Sequence, residues 1–135
     1  GETFMTIDQI REEAIKFIDN GGGLGNPIDG ADPAECDWCE GAKDPLSSDH
    51  PNKAVISLES DRGTSYGTYI SVQNELVGAY TDLRNRYCEK NFNGITYTQL
   101  LKDSKNNPTN ERLKEMIKEA KGKYPQIISE AEPTK

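Results

Sequence analysis

The stretch AVISLESDRGTSYGTYISVQNELVGAYTDLR, residues 54–84, contains the two clearest structural signals in the chain. Its first part alternates in polarity, which predicts a strand within residues 53–60. The residues on one side of that strand are Ala54, Ile56 and Leu58, and those on the other are Val55, Ser57 and Glu59. Apolar residues then recur every three or four positions, which predicts a helix from about residue 66 to 90 with Ser65 as its N-cap. The apolar stripe of this helix consists of Tyr69, Val72, Leu76, Tyr80 or Ala79, Leu83 and Tyr87.

Another helix is predicted on the N-terminal side of this stretch. Thr6 and Gln9 have the T-x-x-Q spacing of a capping box, in which each side chain bonds the backbone N–H of the other residue. Met5 and Ile10 occupy the two positions of a hydrophobic staple around that cap. The apolar positions of the helix are Ile7, Ile10, Ala14 and Phe17. The helix is expected to end at DNGGG, residues 19–23, because Asn and Gly readily adopt the left-handed conformation that closes a helix.

Three further elements are predicted toward the C-terminus. Thr96 and Gln99 again have capping-box spacing and predict a short helix. Asn107 followed by Pro108 predicts the start of another helix, because proline is favoured at the first helical position. The apolar face of that helix consists of Leu113, Met116, Ile117 and Ala120. The sequence QIISEAE, residues 126–132, predicts a short terminal strand.

The order of these elements predicts the fold class. A chain of 135 residues typically forms one domain. Strands followed by packed helices favour a two-layer α+β domain with the helices on one face of a small β-sheet. Residues 21–52 are rich in Gly, Pro and Asp and have almost no apolar periodicity, so they predict a long inserted loop. The prediction is therefore a single domain over residues 1–135, with an inserted loop at 21–52.

The inserted loop contains the sequence ECDWCEG, residues 35–41. Its two cysteines have the spacing of a redox dithiol, of half a zinc site, or of a small disulfide loop. A redox dithiol is disfavoured, because the acidic neighbours would raise the thiol pKa. Zinc could be bound by Cys36, Cys39, Cys88 and His50, but only the first two have a local ligand spacing. The remaining interpretation is a Cys36–Cys39 disulfide or two spectator thiols.

Other chemistry has little support in the sequence. The acids Asp29, Asp32, Glu35 and Asp37 lack the register of a calcium-binding loop, so a solvated acidic loop is the simpler interpretation. A net charge of −7, without a cluster of Lys and Arg, argues against nucleic-acid binding. No residues suggest acid/base or nucleophilic catalysis. We therefore expect neither an enzyme nor a cofactor.

The strand, turn and helix of residues 54–84 resemble the periplasmic domain of the ExbD/TolR family of biopolymer transport proteins. The similarity includes Asp61, which closes the strand at ESD, and Tyr66 near the start of the helix. The sequences MTIDQIREEAIKFI and YPQIISEAEP resemble a preceding helix and a terminal segment found in this family. Residues 21–52 are not covered by the resemblance, and the stretch from 90 to 124 is longer than in compact members.

This resemblance implies a role in energy transduction. Members of the family are inner-membrane proteins with a short cytoplasmic tail, one transmembrane helix and a periplasmic domain, so a transmembrane helix is expected upstream of Glu2. They act with an ExbB/TolQ-type channel and use the proton gradient to drive a TonB- or TolA-type protein. The proton-carrying Asp of the family lies on the transmembrane helix, so no acid of this chain is expected to inherit that role.

The predicted strands are the candidate contact surfaces, because unpaired sheet edges bind extended peptides or a second copy of the chain. Homodimer formation and capture of a TonB-type segment are expected. The candidate contact residues are Val55, Ile56, Leu58, Ile127, Ile128 and Ala131. The alternative is a disulfide- or zinc-stapled extracellular interaction domain. In the ExbD/TolR interpretation the CDWC motif is peripheral, and replacing both cysteines with serine should leave the fold intact.

Overall fold

The computed structural model describes residues 7–19, 36, 38–41, 51, 54–59 and 65–131, of which residues 7, 8, 59, 130 and 131 are described by their backbone alone. The elements are α1 (Ile7–Ile18), β1 (Ile56–Glu59), α2 (Tyr66–Asn91), α3 (Tyr97–Asn106), α4 (Glu111–Lys123) and β2 (Ile128–Ala131). Together they form a small, mostly helical α+β domain, as predicted. The predicted cap Thr6 and most of the predicted loop at 21–52 lie outside the described residues.

The two strands form a parallel pair. The opposed residues are Ile56 and Ile128, Ser57 and Ser129, Leu58 and Glu130, and Glu59 and Ala131. Helices α2, α3 and α4 form the long connection that a parallel pair requires. Ala54 and Leu58 are buried, whereas Val55 and Ser57 are exposed. The predicted alternation along β1 is therefore confirmed for these side chains.

Helix α2 is the centre of the packing. The Ser65 hydroxyl accepts the backbone N–H of Thr68 at 3.1 Å and caps the helix, as predicted. The buried residues of α2 are Leu76, Ala79, Tyr80, Leu83, Tyr87 and Cys88. The predicted apolar stripe contains either Tyr80 or Ala79 at one position. In the structure both residues are fully buried. The reason is that α2 is in contact with α1, α3 and α4, so its buried surface is wider than one stripe.

Helix α1 packs along α2. Ile18 is fully buried, although the predicted stripe omits it. Arg11 extends from α1 to the carboxylate of Glu75 on α2 at 2.9 Å. Its guanidinium lies over Gly78, where an added Cβ would come within 2.3 Å of it. Glycine at this position therefore lets the arginine side chain lie against the surface of α2.

The start of α3 agrees with the prediction in part. The Thr96 hydroxyl accepts the N–H of Gln99 at 3.1 Å, as expected for an N-cap. The side-chain amide of Gln99 donates to Asp103 at 2.8 Å, so it serves an exposed pair further along the helix.

The predicted start of the following helix is wrong. Asn107 ends α3, and its backbone N–H donates to the Ser104 carbonyl at 3.2 Å. The N-cap of α4 is Asn110, whose side-chain oxygen accepts the N–H of Leu113 at 3.2 Å. Pro108 lies in the turn between the two helices. Because α3 extends to residue 106, Asn107 terminates one helix before it can begin another.

Tyrosines with polar partners fill much of the core. Tyr80 and Tyr124 are fully buried and Tyr97 is nearly so. The Tyr80 hydroxyl accepts the backbone N–H of Ile127 at 3.3 Å. Arg84 lies over the rings of Tyr80 and Tyr97 and donates to the carbonyl of Tyr124 at 2.9 and 3.1 Å. These contacts attach the chain entering β2 to the middle of α2.

Candidate functional site

A buried carboxylate lies just after α1. The Asp19 side chain is 1% exposed and forms an ion pair with Arg86 of α2. It also accepts a hydrogen bond from the Tyr124 hydroxyl at 3.2 Å. The backbone N–H groups of Glu40 and Gly41 donate to the same carboxylate at 3.0 and 3.3 Å. Several donors from distant parts of the chain therefore satisfy one buried charge, as its removal from water requires.

Sequence patterns do not identify this carboxylate. An Asp before Asn and Gly is typical of a helix end, and the sequence pattern predicts nothing more for Asp19. The available signal is Arg86, a cation beside the apolar stripe of α2 in an acidic chain. Such a residue indicates a carboxylate partner without identifying it.

The CDWC motif packs against the helices. We use the name disulfide clasp for residues 36 and 38–41, in which Cys36 and Cys39 are joined by a disulfide. The indole N–H of Trp38 donates to the carbonyl of Lys123, at the end of α4, at 3.1 Å. The Lys123 ammonium lies 4.1 Å from the centroid of the indole ring. The motif is therefore packed against the helices, and the expectation that it is peripheral to function stays a prediction.

Ion pairs attach the clasp to α2. The Glu40 carboxylate lies 2.6 Å from Nε of Arg86 and 3.5 Å from the ammonium of Lys90. Burial acts to lower the pKa of Arg86, but the hydrogen bond to Asp19, together with the nearby charges of Asp19 and Glu40, outweighs it and raises the pKa. Burial raises the pKa of Tyr124, and the Asp19 charge adds to this effect. Arg86 therefore stays charged, and the Tyr124 hydroxyl remains a donor.

The cysteines of the described region offer no reactive thiolate. The Cys36 and Cys39 sulfurs are bonded to each other, so they are not thiolate ligands for zinc. Cys88 is fully buried, and burial raises its pKa to about 11, with a contribution from the Glu119 charge. The candidate ligand His50 and the four candidate calcium acids lie outside the described residues. Within the described part, no group of three or more His, Cys, Asp or Glu side chains could hold a metal ion.

A polar cleft of about 410 Å³ lies beside the clasp. It is lined by Trp38, Glu40, Tyr87, Lys90, Asn91 and Lys123. The Tyr87 hydroxyl donates to the Glu119 carboxylate at 2.6 Å. Burial, with the Glu119 hydrogen bond, raises the pKa of Tyr87 well above its usual value, so the phenol stays protonated. Among these lining residues there is no nucleophile paired with a base of the kind that covalent catalysis uses.

The candidate contact residues of the strands differ in accessibility. The side chains that pack against the core are Ile56, Leu58 and Ile128. Val55 is 45% exposed, and Ile127 is half-buried. Ala131 ends β2, where only its backbone is described. Most of the candidate side chains that are described therefore belong to the core rather than to an open surface.

The backbone of β1 presents one edge that the described residues leave unpaired. The N–H of Ile56 donates to the carbonyl of Ile127 at 3.0 Å, so the polar backbone groups of Ile56 face β2. Successive residues of a paired strand direct these groups to opposite edges. The backbone groups of Val55 and Ser57 therefore face away from β2, and within the described part of the chain the sheet ends there.

An apolar groove of about 350 Å³ lies between α1, β1 and α2. It is lined by Ile10, Glu13, Ala14, Phe17, Ile56, Ser57, Leu58, Val72 and Leu76. Ser57 belongs both to this lining and to the outward-facing edge of β1. The groove and the edge are therefore adjacent, and a segment that paired with β1 would lie next to an apolar depression.

No family model, curated protein or solved structure matches this chain. None of the helices in the described ranges combines the length and the apolarity that crossing a bilayer demands. The geometry of β1, the groove and the clasp is therefore the basis for the interpretation of function.

Proposed function

We propose that this chain is a binding domain that takes an extended segment of a partner protein onto the outward edge of β1. The observation that supports the proposal is the position of that edge beside the apolar groove. Val55 and Ser57 supply backbone N–H and C=O groups, and the buried Leu58 is part of the lining of the groove. Strand addition uses both features, since backbone hydrogen bonds provide affinity and adjacent pockets select alternate side chains.

The size of the sheet also supports strand addition. Parallel strands normally belong to larger sheets that are covered on both faces, and a two-stranded sheet is marginal by itself. An open edge is a template for another strand. Because the described residues supply only two strands, a third strand would extend a sheet that is small for its kind.

The resemblance of residues 54–84 to the ExbD/TolR family supports a specific context for this binding. In that context the chain is the periplasmic domain of an inner-membrane protein that works with an ExbB/TolQ-type channel. The proton gradient drives a TonB- or TolA-type protein, and this domain binds an extended segment of that protein. The Cys36–Cys39 disulfide is consistent with an oxidising compartment such as the periplasm.

The chemistry of the surface defines the partner segment. The groove selects apolar side chains at alternate positions, because one side of an added strand would face it. The chain has a net charge of −7, and Glu13 lies in the lining of the groove. Basic residues flanking the apolar positions of the partner would therefore be favoured. The expected homodimer would use the outward edge of β2, which leaves the edge of β1 for the partner.

The variant Ser57→Pro tests this assignment. Proline removes the N–H donor on the outward edge and its ring obstructs strand addition, but it leaves the Ile56–Ile127 hydrogen bond intact. Binding of the periplasmic part of a TonB-type protein, measured by calorimetry, should weaken at least about tenfold, the effect of losing roughly 1.4 kcal/mol. Amide resonances of Val55 and Ser57 in the unaltered domain should shift during titration with the same protein.

The matched control is Ser57→Thr, which keeps the backbone donor and should bind normally. Equal affinity of Ser57→Pro and the unaltered domain would refute the β1 edge as the site. A homodimer that forms through the β1 edge would also contradict a TonB- or TolA-type occupant. Light scattering would then show a dimer for the unaltered domain and a monomer for Ser57→Pro.

The second candidate is a disulfide-stapled extracellular interaction domain. The observation that favours it is that the clasp is held against α2 and α4 and borders a cleft of about 410 Å³. In this case the contact surface is the clasp and not the sheet edge. Partner-induced shifts at Trp38, Lys90 and Asn91, with none at Val55 and Ser57, would favour this candidate over the first.

A further inference from the structure

We propose that the disulfide clasp is a latch that a dithiol opens: reduction of the Cys36–Cys39 bond releases residues 38–41 from α2 and α4. This inference does not depend on the proposed function, because the clasp and the edge of β1 are different surfaces. It assigns a chemical role to the CDWC motif, which strand binding does not use.

The disulfide adjoins the described contacts that hold residues 38–41 against the helices. It closes a ring that contains Trp38, and Glu40 and Gly41 follow the ring directly. Trp38 bonds the end of α4, while the two following backbone N–H groups bond Asp19. Closing a ring restricts the conformations of Trp38 within it and of Cys39, from which Glu40 and Gly41 continue, so breaking the bond increases the entropy cost of keeping these donors in place.

The protein can tolerate the open state because Asp19 keeps other partners. When Glu40 and Gly41 leave, Arg86 and the Tyr124 hydroxyl still bond the carboxylate. The buried Asp19 carboxylate therefore keeps an ion pair and a hydrogen bond. The opening avoids the large free-energy cost of an unpaired buried ion. The released residues are half-buried or exposed, and Trp38 packs against the core cluster from outside it, so the opening uncovers one side of the core without removing a fully buried residue.

An external dithiol supplies the two electrons that reduction of the Cys36–Cys39 disulfide requires. Cys39 is half-buried and Cys36 is buried, so the thiolate of an incoming dithiol reaches Cys39 first. It forms a mixed disulfide with Cys39, and Cys36 leaves as a thiolate that takes a proton. The second thiol of the reductant, as its thiolate, then attacks the reductant's own sulfur in the mixed disulfide, and Cys39 leaves as a thiolate that takes up the released proton. Two electrons pass to the clasp, which becomes a dithiol, while the reductant becomes a disulfide.

The position of the third cysteine excludes it from this exchange. Cys88 is fully buried within α2 and packs in the core cluster. As one buried thiol it does not supply the two thiols that reduction of the clasp disulfide consumes, so the clasp depends on an external dithiol for its opening.

Amide hydrogen exchange measured by NMR tests the latch. The unaltered chain is compared as the disulfide, after reduction with dithiothreitol, and as the variant Cys36→Ser/Cys39→Ser. Opening the ring should speed exchange of the Glu40 and Gly41 amides about tenfold, the effect expected for a short loop. The amides of Leu83 and Leu100, which are in the core, should exchange at an unchanged rate.

The chain has one tryptophan, so its fluorescence provides a second measurement. Emission from Trp38 should move to longer wavelength after reduction, as the indole loses its contact with Lys123. Unchanged exchange at Glu40 and Gly41 in both reduced forms would overturn the proposal. Equal acceleration at Leu83 and Leu100 would also overturn it, because the disulfide would then stabilise the whole fold and not a local latch.

The site of attack can be tested separately. A thioredoxin-type dithiol whose second cysteine is replaced by serine stops the reaction at the mixed disulfide. Mass spectrometry of the acid-quenched adduct should find it on Cys39. An adduct on Cys36 would contradict the order of steps that the difference in burial predicts.

Discussion

Arg86 lies between two carboxylates, and its role depends on how differently they are exposed. Asp19 is almost inaccessible, whereas the Glu40 side chain is 40% exposed. An exposed ion pair contributes little to stability, but removal of one partner from a buried pair leaves an uncompensated charge. The contact between Arg86 and Asp19 is therefore the one that the fold depends on. It also anchors the site to which the disulfide clasp binds.

Replacing Asp19 with alanine should lower the free energy of unfolding by about 3 kcal/mol, at the lower end for a broken buried pair. The reason is that Arg86, the Tyr124 hydroxyl and two backbone N–H groups lose one acceptor together, although Arg86 can still reach water. Urea unfolding measures the change. The matched control is Glu13→Ala, which breaks an exposed pair with Lys16 and should cost less than about 1 kcal/mol. Similar losses in both variants would contradict the assignment.

At the scale of elements, helix ends were predictable where the signal is local. Ser65 and Thr96 cap α2 and α3 as expected, because a cap needs only a side-chain oxygen and an N–H group three residues later. Asn107 and Asn110 satisfy this local rule equally well. The selection of Asn110 depends on where α3 ends, and Pro108 disfavours the helical conformation of Asn107, which is the C-cap of α3.

Two serine-to-alanine substitutions, one at the N-cap of α2 and one within the helix, should have different effects on stability. Ser65→Ala removes the acceptor for the Thr68 N–H and should lower the free energy of unfolding by about 1 kcal/mol. Ser71 bonds the Gly67 carbonyl within the helix at 2.9 Å, so Ser71→Ala exchanges a weak local bond for a better helix former. Its effect should be neutral or stabilising by up to about 0.5 kcal/mol. Thermal unfolding of both variants compares them directly, and an equal loss would argue against the cap.

At the scale of the whole molecule, several weak acids lie in the core. Burial raises the pKa of the tyrosines Tyr80, Tyr87 and Tyr124, and it raises that of Cys88 to about 11. In the unfolded chain Cys88 ionises near its ordinary value of 9.0. Between these two values the unfolded state holds fewer protons than the folded state. The free energy of unfolding therefore decreases as pH rises.

Stability should accordingly be unaffected by Cys88 below pH 9 and should fall from there to about pH 11. Two pKa units correspond to roughly 2–3 kcal/mol. Tyrosines with raised pKa add to the loss above pH 10, where unfolded tyrosine ionises. Urea midpoints between pH 7 and 11, measured under anaerobic conditions, test this expectation. Cys88→Ala should start from a lower stability because it leaves a small cavity, but its decline above pH 9 should be shallower. An identical decline in the variant would contradict the prediction.

The sequence by itself determined the elements that depend on neighbouring residues: the alternation of β1, the long apolar stripe of α2, the cap at Ser65 and the terminal strand. Only the tertiary structure decided that the two strands pair in parallel, which edge of β1 faces outward, and that the CDWC motif packs on α2 and α4. Asp19 is 67 positions from Arg86 and 105 from Tyr124. Local periodicity reports burial and turn chemistry within a few residues, whereas partners at that separation meet only when helices pack.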